Sequence, residues 1–218
     1  KEWILKLPEN FSLRESMIYG TAGLTAGLSV YQLIKLGITP DLGNILVTGS
    51  TGGVGSLAIT ILNSLGYTIT AITGKKETKD FLLKLGANEV IFRKDFNINS
   101  EKLLLKEKYS GVIDTVGGET LSNAIKSTKY RGVVTCCGNV SSHILSTSIY
   151  PFILRGVSLI GIDSVQCFTD IRKKIWNKIS KEWKNSSIEN LIQEISMEEL
   201  VTSLKNFLFE GHRGRMIV

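Results

Sequence analysis

Between residues 45 and 58 the chain reads Ile45-Leu-Val-Thr-Gly-Ser-Thr-Gly-Gly-Val-Gly-Ser-Leu-Ala58. A short apolar run ends at Thr48, Gly49, Gly52, Gly53 and Gly55 follow, and an apolar helical pattern then begins. Few local structures accept that order. Glycine permits positive φ and has no Cβ, so a backbone built from it can approach a ligand closely. Strand, glycine turn and helix start together form the setting of a dinucleotide diphosphate, whose charge faces the first N–H groups of the helix. The spacing is a variant of G-x-G-x-x-G, and a plain strand–helix turn is the competing reading. The alternation that follows favours the ligand site.

From Asn44 onward, apolar strand patterns at 45–48, 68–72, 89–92, 112–116, 132–137 and 157–162 alternate with helical ones. The helices are predicted near 54–65, 77–85, 101–108, 121–128 and 149–154, with Gly66 and Gly86 as stops. Six strands separated by helices predict a doubly wound α/β fold, a six-stranded parallel sheet of the Rossmann type covered on both faces. Ligands in such folds lie at the carboxyl ends of the strands. Before this unit, Trp3, Leu5 and Leu7 alternate as an extended segment, and Ser12 caps a helix over 13–36. Gly20, Gly23 and Gly27 weaken that helix, which is expected to break near Gly20 or to pack against another backbone. After the unit, helices are predicted over 170–185 and 197–208, then a turn and a short strand at the end. The domain reading is 1–20 as a connection, 21–165 as the nucleotide-binding domain, and 166–218 as C-terminal helices and return strand.

The 218 residues, 43% of them hydrophobic, suffice for a large packed core and exclude a disordered chain. The net charge of +6 reads as a solvated basic surface or as a field attracting phosphorylated ligands. No Lys/Arg run interleaved with aromatics points to nucleic acid. No apolar run approaches the roughly 18 residues of a membrane span, and no secretory leader is seen. Cys136, Cys137 and Cys167, with His143 and His212 far apart, form no zinc-ligand spacing. An odd cysteine count fits a reducing, cytoplasmic setting. The start at Lys1 rather than Met suggests an excised part of a longer protein.

In an NAD-specific fold, an acidic residue about twenty positions after the glycines takes the ribose hydroxyls. Here the second strand ends in Thr73, Gly74 and Lys75, without a carboxylate. A hydroxyl, an N–H and an ammonium suit a 2′-phosphate, and the helix dipole disfavours a cation at that position unless an anion joins it. The cofactor expected is NADPH rather than NADH. Arg93, after the third strand, reads as an adenosine-side contact or a surface arginine. Thr115 and Gly117, Gly138 and Asn139, and Asp163 and Ser164 end the fourth, fifth and sixth strands and should border the crevice.

Several segments together resemble one family: Tyr19-Gly-Thr-Ala-Gly-Leu-Thr-Ala26, the glycine loop, Thr73-Gly-Lys, Ile113-Asp-Thr-Val-Gly117, Pro151-Phe-Ile-Leu-Arg155 and Gly161-Ile-Asp-Ser-Val165. Over almost its whole length the chain is similar to the acrylyl-CoA reductase group of the quinone-oxidoreductase-like medium-chain dehydrogenases/reductases. The resemblance implies an NADPH-dependent, zinc-independent reductase of activated C=C bonds or quinones, usually a homodimer. It places diphosphate contacts at Thr51, Gly52, Gly53 and Val54, and the 2′-phosphate pocket at Thr73, Gly74 and Lys75 with Arg93 nearby. Asn139, Ile153 and Ser164 match the nicotinamide side, and Arg213 matches a C-terminal contact. Members also begin with a GroES-like β-rich domain that carries much of the substrate pocket. It is absent here, so the two ends of the chain are read as its connections and no catalytic residue is assigned.

Two other readings compete with this one. A short-chain dehydrogenase needs a Tyr-x-x-x-Lys pair well after the glycine loop, whereas Tyr31 and Lys35 precede it. A non-enzymatic NADPH-binding or sensor module is the alternative from a different class. A side chain at Gly53 is expected to intrude on the diphosphate. The terminal strands are expected to stay out of the middle of the main sheet.

Overall fold

The computed structural model describes residues 4–98, 101–210 and 213–218; Trp3 and His212 lie outside them. Six parallel strands form one sheet: β1 (Asn44–Val47), β2 (Ile69–Thr73), β3 (Glu89–Phe92), β4 (Tyr109–Asp114), β5 (Thr128–Cys136) and β6 (Ser158–Gly161). Their spatial order is β3-β2-β1-β4-β5-β6. The chain moves outward one way from β1 to β3, then crosses back to β4 and moves the other way. The carboxyl ends of β1 and β4 therefore flank the crevice where a doubly wound sheet binds its ligand.

Alternation along the strands feeds two cores. Ile45, Val47, Ile69, Ala71, Ile113 and Val133 pack on one face with α1 (Leu13–Lys35), α2 (Gly53–Ser64) and α7 (Thr169–Ile179). Leu46, Ile72, Val112 and Val134 pack on the other with α5 (Gly118–Lys126). The inner strands β1, β2, β4 and β5 thus bury both faces, which is why their runs read as continuously apolar, while the edge strands β3 and β6 are only partly covered. The remaining helices are α3 (Lys79–Lys84), α4 (Arg93–Phe96), α6 (Tyr150–Arg155) and α8 (Leu200–Glu210).

Ser12 starts α1 with a reciprocal capping box: its side chain accepts from the Glu15 N–H, and Glu15 accepts from the Ser12 N–H. The break expected near Gly20 falls on Gly20 itself, at φ 47 and ψ −150. A capping residue and a glycine in the left-handed region explain both features locally.

The structure corrects several expectations. Residues 101–108 form no helix. The Leu105 N–H donates to the Lys126 carbonyl and the Lys108 N–H to the Ser127 carbonyl, which draws this segment along the end of α5 into β4. Helix α7 stops at Ile179, short of 185, and α8 begins at Leu200 rather than 197. The segment before Pro8 belongs to no strand among the described residues. The C-terminal strand β8 (Arg215–Ile217) stays out of the main sheet as expected. It pairs instead with β7 (Ile192–Glu194), which the sequence reading did not include.

Between Tyr109 and Gly111 the β4–β5 register shifts, with Gly111 opposite Val133, and within that irregularity Arg131 holds φ 59. A side chain with a Cβ is strained in the left-handed region by about 1 kcal/mol. Arg131→Gly is therefore expected to raise unfolding stability by up to about 1 kcal/mol, reduced by the greater chain entropy of glycine. Urea unfolding of the two proteins checks it, and a loss of stability would show that the arginine makes a compensating contact.

Candidate cofactor-binding site

The glycine loop is held from below. At the ends of β1 and β4, Thr48 Oγ1 donates to the fully buried Asp114 carboxylate at 2.6 Å and accepts from the Thr115 N–H at 3.1 Å. The other Asp114 oxygen accepts from the N–H groups of Val116 and Gly117, at 3.2 and 2.8 Å. Thr115 Oγ1 donates to the Thr48 carbonyl at 3.1 Å. The crevice between the two halves of the sheet is thereby closed at its base by hydrogen bonds. Gly49, at φ 58, passes so close to Thr115 that a Cβ would lie 2.1 Å from its hydroxyl oxygen. A Cβ on Gly55 would meet the Gly49 carbonyl oxygen at 2.5 Å. Helix α2 starts at Gly52 as N-cap with no side-chain cap, so no hydroxyl or carboxylate covers its first N–H groups.

Above this base lies a cleft of about 320 Å³, lined by Gly49, Thr51 and Gly52 from the loop, Thr73, Gly74 and Lys75 from the tip of β2, and Arg93 and Thr115 among others. Among the described residues, no carboxylate borders it. The Arg93 guanidinium lies over Gly74, where a Cβ would stand 2.6 Å from one of its nitrogens. Thr73 is turned inward: its hydroxyl accepts from the Lys75 N–H at 3.0 Å and lies 3.1 Å from that of Thr78. That N–H is consequently used in the turn, and the cations at this end are Lys75 and Arg93. Seven of the expected contacts, Thr51, Gly52, Thr73, Gly74, Lys75, Arg93 and Thr115, thus share one cleft.

The other expected residues lie elsewhere. Gly53 and Val54 form the first turn of α2, and a Cβ on Gly53 would face Ala22 and Arg215 on the α1 side. Asn139 lines a second, wider cleft of about 660 Å³ at the ends of β5 and β6, with Gly117, Gly138 and Asp163. Ser164 follows Asp163, and its carbonyl accepts from Arg172 at 3.1 Å. Ile153 on α6 is 64% exposed and lines neither cleft. Arg213 is exposed and stacks its guanidinium over the Phe81 ring of α3 at 5.3 Å. Tyr31 accepts from Lys174 at 3.0 Å, and neither Tyr31 nor Lys35 lines the two clefts. The Thr48–Asp114 pair was not anticipated. An aspartate following the apolar run Gly111-Val-Ile was its one signal.

Burial pushes the Asp114 carboxyl above its usual range, against the lowering effect of the bonds from Thr48, Gly117 and Val116. Burial beside Asp114 likewise pushes the Cys137 thiol up to about 12 and raises Cys136, so neither is a thiolate at neutral pH. For Asp114 the consequence has a definite sign. Below an unfolded pKa of about 3.9 the group is protonated in both states. As pH rises past it the unfolded chain ionises first, so Asp114 subtracts stability until the folded pKa is passed. The stability of wild type relative to Asp114→Asn is expected to fall as pH rises from 3 to 7 (an experimental range of about four units). Urea midpoints across that range check it, and a rising difference would reverse the assignment.

Comparison with known proteins agrees with this architecture. Residues 53–181, more than half of the chain, match the family model described as zinc-binding dehydrogenase. The chain belongs to that family. It is 44% identical to the putative quinone oxidoreductase YhfP of Bacillus subtilis and 37% identical to the acrylyl-CoA reductase AcuI of Ruegeria pomeroyi. Both matches cover 100% of this chain and 66% of the relative, so the chain spans just under two thirds of their length. Among solved structures, the YhdH oxidoreductase of Salmonella enterica in complex with NADP superposes with a TM-score of 0.94 at 36% identity, over 99% of this chain and 66% of the other. Bacillus subtilis YhfP with NAD bound gives 0.95 at 43% identity, over the same shares.

The family description implies zinc, and the donor set here does not fit it. Among the described residues no three His, Cys, Asp or Glu side chains stand close enough to hold a metal ion. Cys136 and Cys137 are adjacent in sequence, and Cys137 donates weakly to the Asp114 carbonyl at 3.5 Å.

Proposed function

We propose that this chain is the cofactor-binding part of an NADPH-dependent oxidoreductase that reduces activated C=C bonds, such as that of acryloyl-CoA, or quinones. The observation that carries the cofactor is the carboxylate-free tip of β2, where Lys75 and Arg93 border the cleft that also holds the glycine loop. The uncapped start of α2 and the backbone of Thr51, Gly52, Gly53 and Val54 would hold the diphosphate. Lys75, Gly74 and Arg93 would hold the 2′-phosphate, and Asn139, at the second cleft, borders the nicotinamide side. Bound there, the nicotinamide supplies the hydride, while the chain orients it and offers cations to its phosphates. The acceptor class rests on the resemblance to acrylyl-CoA and quinone reductases.

Lys75→Ala is expected to weaken NADPH binding about tenfold, roughly 1.4 kcal/mol, and to leave NADH within about twofold. Added salt should shrink the preference, because a partly exposed charge contact is screened. Titration calorimetry with both cofactors measures this. Equal losses would assign Lys75 to the fold and remove the 2′-phosphate reading.

Residues 1–20 and 205–218 read as the connections to a GroES-like domain that carries much of the substrate pocket, and 166–218 as C-terminal helices and return strand. The protein as a whole reads as a cytoplasmic homodimer. Three free cysteines support the compartment. The unpaired outer edge of β6 and the exposed Ile149, Ile153 and Leu154 around α6 support self-association. No helix among the described residues is long and apolar enough to cross a membrane.

A further inference from the structure

The C-terminal strand reaches the glycine loop. The Gly214 N–H donates to the Thr51 carbonyl at 2.8 Å. The next residue, Arg215, turns its half-buried guanidinium towards α1. Nε donates to the Ile18 carbonyl at 2.8 Å, and Nη2 lies 3.5 Å from the Met17 carbonyl. Both carbonyls come just before the break at Gly20, where helical bonding is interrupted and carbonyls need other donors. Nη1 stands 3.2 Å from where a Cβ would sit on Gly53, the first residue of α2. Arg215 forms no ion pair among the described residues, so its bonds are spent on backbone.

The segment before the break is attached to the same C-terminal body by other contacts. Arg14 pairs with Glu189 at 3.0 Å and with Glu194 at 3.1 Å, and Lys184 pairs with Glu15. The two Arg14 pairs are exposed and contribute little, while Glu15 is largely covered beside Lys184. Among these contacts, the Arg215 guanidinium alone meets the broken end of α1 and the start of α2 together.

We propose that Arg215 is a positioning residue that couples the α1 break to the diphosphate loop. It sets the loop's binding shape and the direction of residues 13–19 together. Gly214 holds the loop by its bond to Thr51, and the neighbouring Arg215 packs beside Gly53 while bonding the end of the α1 segment. A planar fork with several donors can meet Ile18, Met17 and the Gly53 surface at once, whereas an ammonium cannot. The proposal rests on the reading of this loop as the diphosphate site.

The test compares Arg215→Met and Arg215→Lys with wild type by peptide-resolved hydrogen exchange and by calorimetry with NADPH and NADH. Arg215→Met is expected to speed exchange at both 17–22 and 51–56, and to weaken both cofactors by the same factor, at least about tenfold. Arg215→Lys should recover part of both changes. Faster exchange at 17–22 alone, with both affinities unchanged, would make Arg215 a helix cap and overturn the coupling. A wild-type protein that binds neither cofactor would overturn the functional reading instead, and exchange at 51–56 would then decide the coupling by itself. If Arg215→Met does not fold, Arg215→Gln carries the same comparison.

Discussion

Residues 1–218 alone are expected to reduce an enoyl thioester with NADPH at least about a thousandfold more slowly than a protein with the full length of the relatives. A thousandfold is about 4 kcal/mol of barrier. Holding two reactants in register is worth roughly 7–11 kcal/mol, and on the proposed reading this chain would orient the cofactor without the third of its relatives' length that lies outside the match. The cleft at the glycine loop is lined by glycines, hydroxyls and the cations Lys75 and Arg93, which suit a dinucleotide's phosphates, whereas the second cleft is walled largely by Leu121, Ile144, Leu145, Leu159 and Ile162. Steady-state NADPH oxidation by both proteins at equal concentration decides the matter. Comparable rates would place the catalytic groups among the residues described above. Tight NADPH binding with no turnover in either protein would favour a non-enzymatic module.

The second large effect belongs to Gly55. Its Cβ would lie 2.5 Å from the Gly49 carbonyl oxygen and 2.9 Å from Ser50 Cα, both backbone atoms that cannot swing aside. Gly55→Ala is therefore expected to displace the loop and weaken NADPH and NADH alike by about a hundredfold, or about 2.7 kcal/mol. Helix propensity favours alanine there by about 1 kcal/mol, so any loss must come from the overlap. Gly53→Ala is the contrast. Its Cβ would have Ala22 and the flexible Arg215 side chain as its nearest neighbours, at 3.2 to 3.4 Å, and about a threefold effect or less is expected. Calorimetry with a circular-dichroism control separates the two. If Gly53→Ala costs more than Gly55→Ala, the close approach that shapes the site lies on the α1 side.

What was legible in the chain was local. A strand, a glycine turn and a helix start are encoded within fourteen consecutive residues, 45–58, and a doubly wound sheet of six parallel strands follows once the alternation is seen. The capping box at Ser12 and the break at Gly20 are local too. The Lys/Glu/Leu composition of 101–108 favours a helix, but an isolated segment of that length is a marginal helix in water. Its hydrogen bonds to Lys126 and Ser127 decide the outcome. The site's support was illegible for the opposite reason. Thr48 and Asp114 are 66 positions apart, and Ile18 and Arg215 are 197 apart. Nothing in the spacing of either pair announces the contact. The inward turn of Thr73 belongs to the same class, because its partner Thr78 looks like an ordinary surface residue until the turn is formed.

The strand order also has a consequence for synthesis. β1, β2 and β3 leave the ribosome in succession and can pair with one another at once, but β1 must wait for β4 to cover its other side. About sixty residues separate the end of β1 from the start of β4, so at 5–20 residues per second the waiting time is about 3–12 s. During that interval the growing chain presents the apolar edge Ile45-Leu-Val47, beside the unfinished glycine loop, to whatever else is nearby. Codon choice and chaperone access over residues 48–108 therefore bear on the yield of native protein more directly than they do anywhere after β4.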